Sequence, residues 1–455
     1  MPDPQESASH LARWQRKTTV SLFAGYAAYY ICRSNLSVAT PLILDEFESV
    51  TKDDIGFVAS VGVGFYALGK ISNGLLADRL GGRSLFLFGL FASVVCTLVF
   101  GVSAGISTFA VLWALNRYVQ SMGWVALVKT ASRWFPVSRH ATIMAILSLS
   151  FLIGDAFARA YLGAFIEIGD RVPVLSFLDD WRAVFFIAAA TTTAIGIAIR
   201  LSLKSDPSEV GATEPAANPV NVYGEEGQSA EDVPLRERLM PLLKSPLFWM
   251  ICLTNFGLTL VRETFNFWTP TFLNEVPKLS QGQSAIGSLL FPLTGAVSVI
   301  LGGVISDRLG GRHGRVMVPS IICVTIVIGV LAAVDLTGRP VLALCLISAV
   351  SFFLLAPYSY LSGVMALDLG GKRSSSTVAG LSDSAGYLGA ILSGQLVGKI
   401  AEVYGWSTAF GVLSGVCGLT AFSGLVYWLV HERMLDEKAA EASPEVSSSE
   451  EARND

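Results

Sequence analysis

The segment Gly74-Leu75-Leu76-Ala77-Asp78-Arg79-Leu80-Gly81-Gly82-Arg83 lies between two membrane-length apolar runs. Its pattern of glycine, aspartate and arginine returns as Gly303-Val304-Ile305-Ser306-Asp307-Arg308-Leu309-Gly310-Gly311-Arg312. The two aspartates are 229 positions apart (307 minus 78). Two arginines within apolar runs, Arg33 and Arg262, repeat at the same offset, and each precedes a proline by eight residues. Two independent landmarks at one offset predict that the chain consists of two homologous halves.

The composition is that of an integral membrane protein. Of the 455 residues, 52% are hydrophobic and 15% are charged, and the mean hydropathy is +0.56, whereas soluble domains carry about 25% charged residues. A helix needs about 20 mostly apolar residues to span a bilayer. Twelve such runs cover residues 18–41, 56–77, 84–102, 108–129, 141–166, 182–203, 246–271, 284–305, 316–336, 340–366, 376–399 and 406–430. We therefore expect an all-α membrane protein with twelve transmembrane helices in two pseudo-symmetric six-helix halves, an architecture typical of transporters.

The polar segments divide the chain into five parts. They are a cytoplasmic N-terminal segment (1–17), an N-terminal six-helix half (18–204), a cytoplasmic linker (205–243), a C-terminal six-helix half (244–431) and a disordered, acidic cytoplasmic tail (432–455). Basic residues concentrate in alternate short loops, which places those loops in the cytoplasm. Both termini are then cytoplasmic. The absence of a transit peptide and the compact loops favour a bacterial inner membrane.

The repeated loop offers an aspartate that can act across the cytoplasmic face. Asp78 and Asp307 can each pair with an arginine or cap the N-terminus of a neighbouring helix. Contacts of this kind would hold one conformation and break in the other. The residues expected to form this conformational latch are Gly74, Asp78, Arg79, Arg83, Gly303, Asp307, Arg308 and Arg312. The alternative is a plain basic loop that follows the charge rule, although that rule requires neither the glycines nor the aspartate.

Arg33 lies inside the first apolar run, and a charge near the bilayer centre costs at least about 2.5–3.5 kcal/mol. Tyr26, Tyr30 and Ser37 share its helical face because they lie seven and three residues before it and four after it. Lipid cannot satisfy such a polar stripe, so the stripe must face protein or water. Lys70, in the second run, is a further cation within the bilayer unless its ammonium snorkels to the interface.

Arg262 occupies the matching place in the second half, where it shares a helical face with Asn255, Thr259 and Asn266. The symmetry predicts that Arg33 and Arg262 face each other across a central cavity. A guanidinium offers a fork of donors that fits a phosphate or a carboxylate. Alternatively, each arginine is held by a buried acid. The candidate acids are Glu263, Asp155 and Asp383.

Several stretches resemble a known family. The repeated loop resembles the signature loop of the major facilitator superfamily, and Gly25-Tyr-Ala-Ala-Tyr-Tyr-Ile-Cys-Arg33 with Pro41 is similar to the first helix of its organophosphate:phosphate antiporters. Further similar stretches are Tyr66-Ala-Leu-Gly-Lys70, Gln120-Ser-Met-Gly-Trp124 and Trp268-Thr-Pro270. The resemblance implies exchange of a phosphorylated metabolite for inorganic phosphate by alternating access. With the polar stripes, it makes the expected substrate-binding residues Arg33, Arg262, Lys70, Tyr30, Tyr26 and Asn266.

The chain departs from the pattern of that family in its charges. Arg117 lies in the fourth run, Asp155 and Arg159 in the fifth, Glu263 in the seventh and Asp383 in the eleventh. Asp155 and Arg159 are four residues apart on one helix, so we expect them to pair. The charges placed within the bilayer are five cations and three acids, namely Arg33, Lys70, Arg117, Arg159 and Arg262 against Asp155, Glu263 and Asp383. Their sum leaves two positive charges, which suits a dianionic substrate. The acids are either structural partners for the extra arginines or proton carriers, because burial favours a protonated carboxyl and a nearby cation favours a carboxylate.

The predicted function is secondary active transport that exchanges a phosphorylated metabolite, of the glycerol-3-phosphate or sugar-phosphate class, for inorganic phosphate. The alternatives are a proton-coupled symporter of another organic anion, which would use Asp383 or Glu263, and a transporter-like sensor of sugar phosphate. No nucleophile–base pair, phosphate-binding loop or metal-ligand spacing indicates an enzyme, a metal or a cofactor. The net charge of −4 gives no reason to expect nucleic acid. We expect a monomer in the lipid bilayer whose partners are a small anionic substrate and inorganic phosphate.

Overall fold

The chain folds into helices. The structure, a computed structural model, describes residues 4–47, 49–50, 52–219, 221–229, 233–279 and 281–451. The α-helices, numbered in chain order, are α1 (Pro4–Glu46), α2 (Lys52–Leu80), α3 (Gly82–Gly101), α4 (Ile106–Gln120), α5 (Met122–Trp134), α6 (His140–Arg171), α7 (Trp181–Ser202), α8 (Leu235–Lys244), α9 (Pro246–Glu275), α10 (Gln281–Ser288), α11 (Leu290–Arg308), α12 (Gly314–Ala333), α13 (Pro340–Leu361) and α14 (Val364–Glu451). All twelve predicted spans fall on these helices, so the predicted all-helical fold is confirmed.

The longest helix, α14, joins three helical stretches. Its backbone leaves helical geometry at Gly371 (φ 55°), at Ser374 and at Gly405 (φ 84°). The positive φ of the two glycines lies in the region that residues with a Cβ rarely adopt. The break at Gly405 separates the predicted eleventh span from the twelfth, and the two earlier breaks separate the tenth from the eleventh.

Eight helical segments within the described residues are long and apolar enough to cross a membrane, or nine if the bent pair α8–α9 forms one span. One of them, Pro340–Gly394, is 55 residues long and contains the tenth predicted span and most of the eleventh. The predicted runs 18–41 and 108–129 fall on α1 and on the pair α4–α5. Polar side chains, including Arg33 and Arg117, lower the hydropathy of these two runs. The chain is a multi-pass integral membrane protein.

The fourth predicted span is interrupted at Ser121, between α4 and α5. The Ser121 hydroxyl accepts a hydrogen bond from Asn73 Nδ2 (2.8 Å) and donates one to the carbonyl oxygen of Tyr118 (2.7 Å). Gly69 of α2 packs so close to this serine that an added Cβ would lie 2.4 Å from Ser121 Oγ. Glycine at this position therefore allows α2 to approach α4.

The chain divides into two compact units. Unit 1 comprises residues 1–135 and 146–215, and unit 2 comprises residues 136–145 and 216–455. The division after residue 215 falls inside the segment predicted to be a linker. The first turns of α6 belong to unit 2 and the rest of α6 belongs to unit 1.

Stacked aromatic rings mark the core of each unit. In unit 1, the ring of Phe100 stacks on Phe109 at 4.7 Å and on Phe185 at 4.5 Å between centroids. In unit 2, Phe265 stacks on Phe291 at 5.8 Å. The first set comes from α3, α4 and α7 and the second from α9 and α11, so these rings help to set how the helices of each unit pack.

The predicted linker packs partly on each unit. In unit 1, Arg133 lies 3.1 Å from Asp206 and also pairs with Glu214. In unit 2, the backbone N–H of Val222 donates to the carbonyl oxygen of Leu369 at 3.0 Å. These contacts attach the first part of the linker to unit 1 and its middle part to unit 2.

Helical backbone continues through residues 432–451, part of the stretch for which the composition predicted disorder. Ion pairs support its beginning, because Arg312 lies 3.1 Å from Glu432 and 2.8 Å from Asp436. Arg315 pairs with the same glutamate. Residues 452–455 of the predicted tail lie outside the described residues.

Candidate substrate-binding site

Arg33 of α1 is surrounded by tyrosine rings in unit 1. Its guanidinium carbon lies 4.8 Å from the ring centroid of Tyr30 and 4.5 Å from that of Tyr66, on α2. Its Nη1 donates to the Tyr30 hydroxyl at 3.2 Å. Cation–π contacts of this kind hold a guanidinium in place without neutralising its charge.

The buried ring of Tyr66 brings three cations together. Besides Arg33, the guanidinium carbon of Arg117 lies 4.6 Å from its centroid, and the ammonium of Lys70 lies 5.2 Å from it. Lys70 is only 2% exposed, so it does not snorkel to the interface. The sequence indicated Arg33 and Lys70 for this site, but it did not show that Arg117 joins them, because only the packing of α4 against α2 brings it near. An anion placed here would be attracted by all three groups.

Tyr26 lies behind this cluster. Its ring centroid is 5.7 Å from that of Tyr30 and 5.5 Å from that of Trp124, and the side chain is buried. Tyr26 therefore supports the position of Tyr30, and a direct contact of Tyr26 with substrate remains a prediction.

Asp155 and Arg159 pair as their spacing predicted, with 3.0 Å between Arg159 Nε and Asp155 Oδ2. The pair also binds α1. The Ser34 hydroxyl donates to Asp155 Oδ1 at 2.5 Å, and Arg159 Nη1 donates to the Ser37 hydroxyl at 2.9 Å. These contacts fit a structural role, because they join α6 to the turns of α1 that follow Arg33.

In unit 2, Arg262 of α9 also lies over a tyrosine, with its guanidinium carbon 4.3 Å from the ring centroid of Tyr358 on α13. It also bonds the residue that follows it, because its Nε donates to Glu263 Oε1 at 2.9 Å. The alternative that an acid holds Arg262 is therefore realised in the structure. The matching arginines thus share a cation–π arrangement, and a glutamate offsets the charge of Arg262.

The rest of the predicted stripe on α9 has other contacts. Asn255 Nδ2 donates to the carbonyl oxygen of Ser382 at 2.9 Å, and Thr259 Oγ1 donates to Asn255 Oδ1 at 2.9 Å. These two side chains join α9 to α14 rather than extending the surface around Arg262. Asn266 is exposed and Asp383 is half-buried, and their expected roles remain predictions.

The two aspartates of the repeated loop bind different partners. Asp78 pairs with Lys129 of α5 at 2.8 Å, and both side chains are almost completely buried. Asp307 instead caps α6, because its carboxylate accepts from the backbone N–H groups of Ala141 (3.1 Å) and Thr142 (2.8 Å). The sequence offered an arginine partner or a helix cap for each aspartate. Asp307 forms the cap, whereas the partner of Asp78 is a lysine and not an arginine. The fourth predicted span ended at Lys129 (108–129), whereas in the structure Lys129 lies inside α5, which continues to Trp134.

Glycine and arginine in the repeated loops serve the packing of each unit. An added Cβ at Gly303 would lie 2.7 Å from the Cβ of Ala145, so this glycine lets α6 approach α11. Arg83 Nε donates to the carbonyl oxygen of Leu203 at 2.7 Å and thus caps α7. Its counterpart Arg312 binds Glu432 and Asp436 in the last helical stretch of α14, and these hydrogen bonds raise the pKa of the guanidinium.

The remaining latch candidates are distributed between core and surface. Gly74 is buried, whereas Arg79 and Arg308 are exposed. Exposed arginines at these positions agree with the charge rule on which the predicted orientation rests. Participation of the loop residues in a latch between conformations remains a prediction.

A buried histidine–aspartate network lies beside the capped end of α6. His140 Nδ1 is 3.2 Å from Asp368 Oδ1, and His313 Nε2 is 2.6 Å from Asp368 Oδ2. The Ser306 hydroxyl lies 2.6 Å from His313 Nδ1. Sequence reasoning missed this network because His140 and Asp368 are 228 residues apart and show no local spacing.

Replacing Asp368 by asparagine should lower the free energy of unfolding by about 2 kcal/mol. Hydrogen bonds to charged groups contribute about 1.5–3 kcal/mol each, and an amide keeps only one of the two acceptor contacts. The measurement is unfolding by dodecyl sulfate in mixed micelles, followed by tryptophan fluorescence. Asp335→Asn, at an exposed site, is the control and should change stability by less than about 1 kcal/mol. Equal stability of Asp368→Asn and the parent protein would contradict a stabilising role for the network.

Comparison with known proteins identifies the family. The model of the Major Facilitator Superfamily matches residues 22–394. The chain is 25% identical over 429 residues to the glycerol-3-phosphate transporter of Bacillus subtilis (strain 168), covering 92% of this chain and 94% of that protein. It is also 25% identical over 423 residues to the membrane sensor protein UhpC of Salmonella typhimurium, covering 92% of each.

Among solved structures, the E. coli fucose:proton symporter FucP is similar in fold, with a TM-score of 0.69 and 14% identity over 90% of this chain and 98% of that one. The family match covers well over half of the sequence and includes both landmark arginines and both repeated loops. The family predicted from those residues is confirmed, and neither the family nor these relatives indicate an enzyme. The chain therefore belongs to the Major Facilitator Superfamily.

Proposed function

We propose that this chain is a secondary active transporter that exchanges a phosphorylated organic metabolite, of the glycerol-3-phosphate or sugar-phosphate class, for inorganic phosphate. The observation that carries the proposal is the cluster of Arg33, Lys70 and Arg117 around the buried ring of Tyr66. Three cations close together favour an anionic ligand. The similarity to a glycerol-3-phosphate transporter supports a phosphate group as that ligand.

In this mechanism, Arg33 and Arg262 both bind the phosphate during the transport cycle. Each guanidinium can donate two parallel hydrogen bonds to phosphate oxygens, and each packs on a tyrosine ring. For Arg262, the phosphate competes with Glu263, which accepts from its Nε. Binding of the anion offsets charge that otherwise opposes rearrangement of the carrier, so the loaded form changes between inward-open and outward-open states. The empty carrier faces a higher barrier, and exchange is therefore obligatory.

The cellular setting follows from the same proposal. Both termini lie in the cytoplasm, the carrier works as a monomer in a bacterial inner membrane, and inorganic phosphate is the counter-substrate. The basic loops support this orientation. Accessibility of single cysteines, introduced near residue 8 and near residue 336, to an impermeant thiol reagent in intact cells would test the orientation.

Counterflow in proteoliposomes tests the function. Vesicles are loaded with inorganic phosphate, labelled phosphate is added outside, and its accumulation is followed at constant pH. Glycerol phosphate, sugar phosphates and non-phosphorylated acids then compete. The proposal expects strong exchange that phosphorylated compounds inhibit and that Arg33→Ala abolishes.

Two other outcomes would replace the proposal. Uptake of another organic anion that follows a pH gradient, without phosphate exchange, would indicate a proton-coupled symporter that uses Glu263 or Asp383. Saturable binding of sugar phosphate without flux would indicate a sensor, a function favoured by the 25% identity to a membrane sensor protein.

Removing the acid beside Arg262 should tighten phosphate binding. Glu263 offsets the positive charge of Arg262 through the 2.9 Å contact, so Glu263→Gln should lower the KM for phosphate about threefold to tenfold, equivalent to about 0.7–1.4 kcal/mol. Initial rates of exchange at varied phosphate concentration measure this change. Glu402→Gln removes an equal charge from an exposed site and should leave KM unchanged. An unchanged or higher KM in Glu263→Gln would contradict the assigned role of Glu263.

A further inference from the structure

A basic groove runs along the first turns of α1 in unit 1. It has a volume of about 670 Å³ and, among the described residues, is lined by Ser9, Ala12, Arg13, Arg16, Lys17, Val20, Ser21 and Ser202. Three of these side chains are basic and none is acidic. The positions on α1 repeat at intervals of three and four residues, so they form one face of the helix. This groove is separate from the candidate substrate site.

Contacts to the rest of unit 1 hold this part of α1 in place. Gln15 Nε2 donates to the carbonyl oxygen of Trp134 at the end of α5 (2.9 Å). The hydroxyl oxygens of Ser21 and Ser202 lie 2.9 Å apart and join α1 to the end of α7. The groove is therefore preformed by tertiary contacts, and a ligand would not have to order the helix.

The groove changes from basic to apolar along the helix axis. Arg13, Arg16 and Lys17 line one part of it, and Val20, which is 66% exposed, lines the part closer to the predicted span. Leu201, which precedes the groove residue Ser202 on α7, is 77% exposed. A rise of 1.5 Å per residue puts about 10 Å between Arg13 and Val20. Lys17 lies 4.5 Å from the ring centroid of Trp14, and tryptophan is typical of the membrane interface.

We propose that this groove binds an anionic phospholipid, with its phosphate at Arg13, Arg16 and Lys17 and its acyl chains along Val20 and Leu201. The first predicted span begins at residue 18, so the three cations lie where the polar headgroups are. The headgroup layer is about 5–8 Å thick on each side of the hydrocarbon core, which matches the length of the basic part. Basic pockets at helix ends on the cytoplasmic side are suited to acidic headgroups.

The apolar end of the groove favours a lipid over free phosphate. Free phosphate would satisfy the three cations and leave Val20 and Leu201 unchanged, whereas a lipid covers both parts. Along α1, the basic residues come before the apolar surface. In one leaflet of a bilayer, the charged headgroup likewise lies outside the acyl chains, so a lipid can match both parts of the groove.

Native mass spectrometry tests the proposal on the full chain. The detergent-purified protein is mixed with equal amounts of phosphatidylglycerol and phosphatidylcholine, and the retained lipid is counted. The protein should retain phosphatidylglycerol preferentially. The triple variant Arg13→Gln, Arg16→Gln, Lys17→Gln should lose about tenfold or more of that preference, because each basic residue at the surface contributes to attraction of acidic lipid. The variant Arg13→Lys, Arg16→Lys, Lys17→Arg should keep it.

A matched variant distinguishes lipid binding at the groove from an effect of the protein's net charge. Arg236→Gln, Lys244→Gln, Arg433→Gln removes the same charge from exposed sites elsewhere and should retain phosphatidylglycerol as the parent does. Equal loss in both triple variants, or no loss in the first, overturns the proposal. Displacement of the lipid by millimolar inorganic phosphate would also overturn it, because the ligand would then be free phosphate.

A second measurement needs no substitution. Photoreactive phosphatidylglycerol in vesicles, cross-linked to the parent protein and mapped by peptide analysis, should label residues 9–21 or 197–203. Labelling only at other segments overturns the assignment. Neither measurement depends on phosphate exchange, so failure of the lipid proposal and failure of the transport function are distinguishable.

Discussion

Arg33→Lys should lower the rate of phosphate exchange by about a hundredfold. Lysine keeps the charge but lacks the planar fork of donors, so it cannot form two parallel hydrogen bonds with a phosphate. It also loses the guanidinium contacts to the rings of Tyr30 and Tyr66. A hydrogen bond to a charged group contributes about 1.5–3 kcal/mol. Loss of one such bond, near the upper end of that range, corresponds to the expected change in rate.

Counterflow of labelled phosphate in proteoliposomes measures this effect. Arg182→Lys is the control, because Arg182 is also an arginine of unit 1 that packs on an aromatic ring, 4.4 Å from the centroid of Trp181. It pairs with Glu46 at 2.8 Å and lies at a partly exposed site. This control should exchange at nearly the parent rate. If Arg33→Lys exchanges phosphate as fast as the parent, Arg33 does not bind the phosphate and the proposed mechanism is wrong.

Lys129→Met should lower the free energy of unfolding by about 3–5 kcal/mol, the usual cost of leaving one charge of a buried pair without its partner. Asp78 and Lys129 are 2.8 Å apart, and their side chains are 0% and 2% exposed. Methionine fills a volume similar to that of the lysine stem but provides no positive charge for the Asp78 carboxylate. Unfolding by dodecyl sulfate in mixed micelles measures the change.

The same unit contains a matched pair near the surface. Lys204 lies 3.7 Å from Glu209, and the two side chains are 37% and 35% exposed. Lys204→Met should therefore cost less than about 1 kcal/mol. The double variant Lys129→Met, Asp78→Leu should recover much of the stability lost in Lys129→Met, since it removes the buried charge. Equal stability losses in Lys129→Met and Lys204→Met would contradict this explanation.

The two halves use one sequence pattern in different ways. Asp78 binds a lysine side chain within unit 1, and its counterpart Asp307 binds the backbone N–H groups at the start of α6. The difference comes from the neighbouring helices. Lys129 of α5 lies next to Asp78, whereas α6 begins at His140, so the backbone N–H groups of its first turn lie next to Asp307. A repeated loop therefore predicts the location of a contact in each half, but the neighbouring helices determine the partner.

Sequence periodicity was sufficient for the features that depend on one helix. The apolar runs predicted the spans, and the 229-residue offset predicted two halves. Helical spacing placed Tyr30 on the face of Arg33, where it accepts a hydrogen bond from the guanidinium, and predicted that Asp155 would pair with Arg159. These predictions succeed because 3.6 residues per turn bring positions three and four apart together in any helix.

Contacts between helices depended on lateral packing, which the spacing of residues does not encode. Tyr66 joins Arg117 of α4 to Arg33 of α1, and Asp368 joins two histidines that are distant in sequence. Rotation of a single helix about its axis would separate such partners while its own pattern of apolar residues stayed the same. The sequence by itself therefore determined the membrane fold and the two arginines, and tertiary packing determined which cations gather around Tyr66.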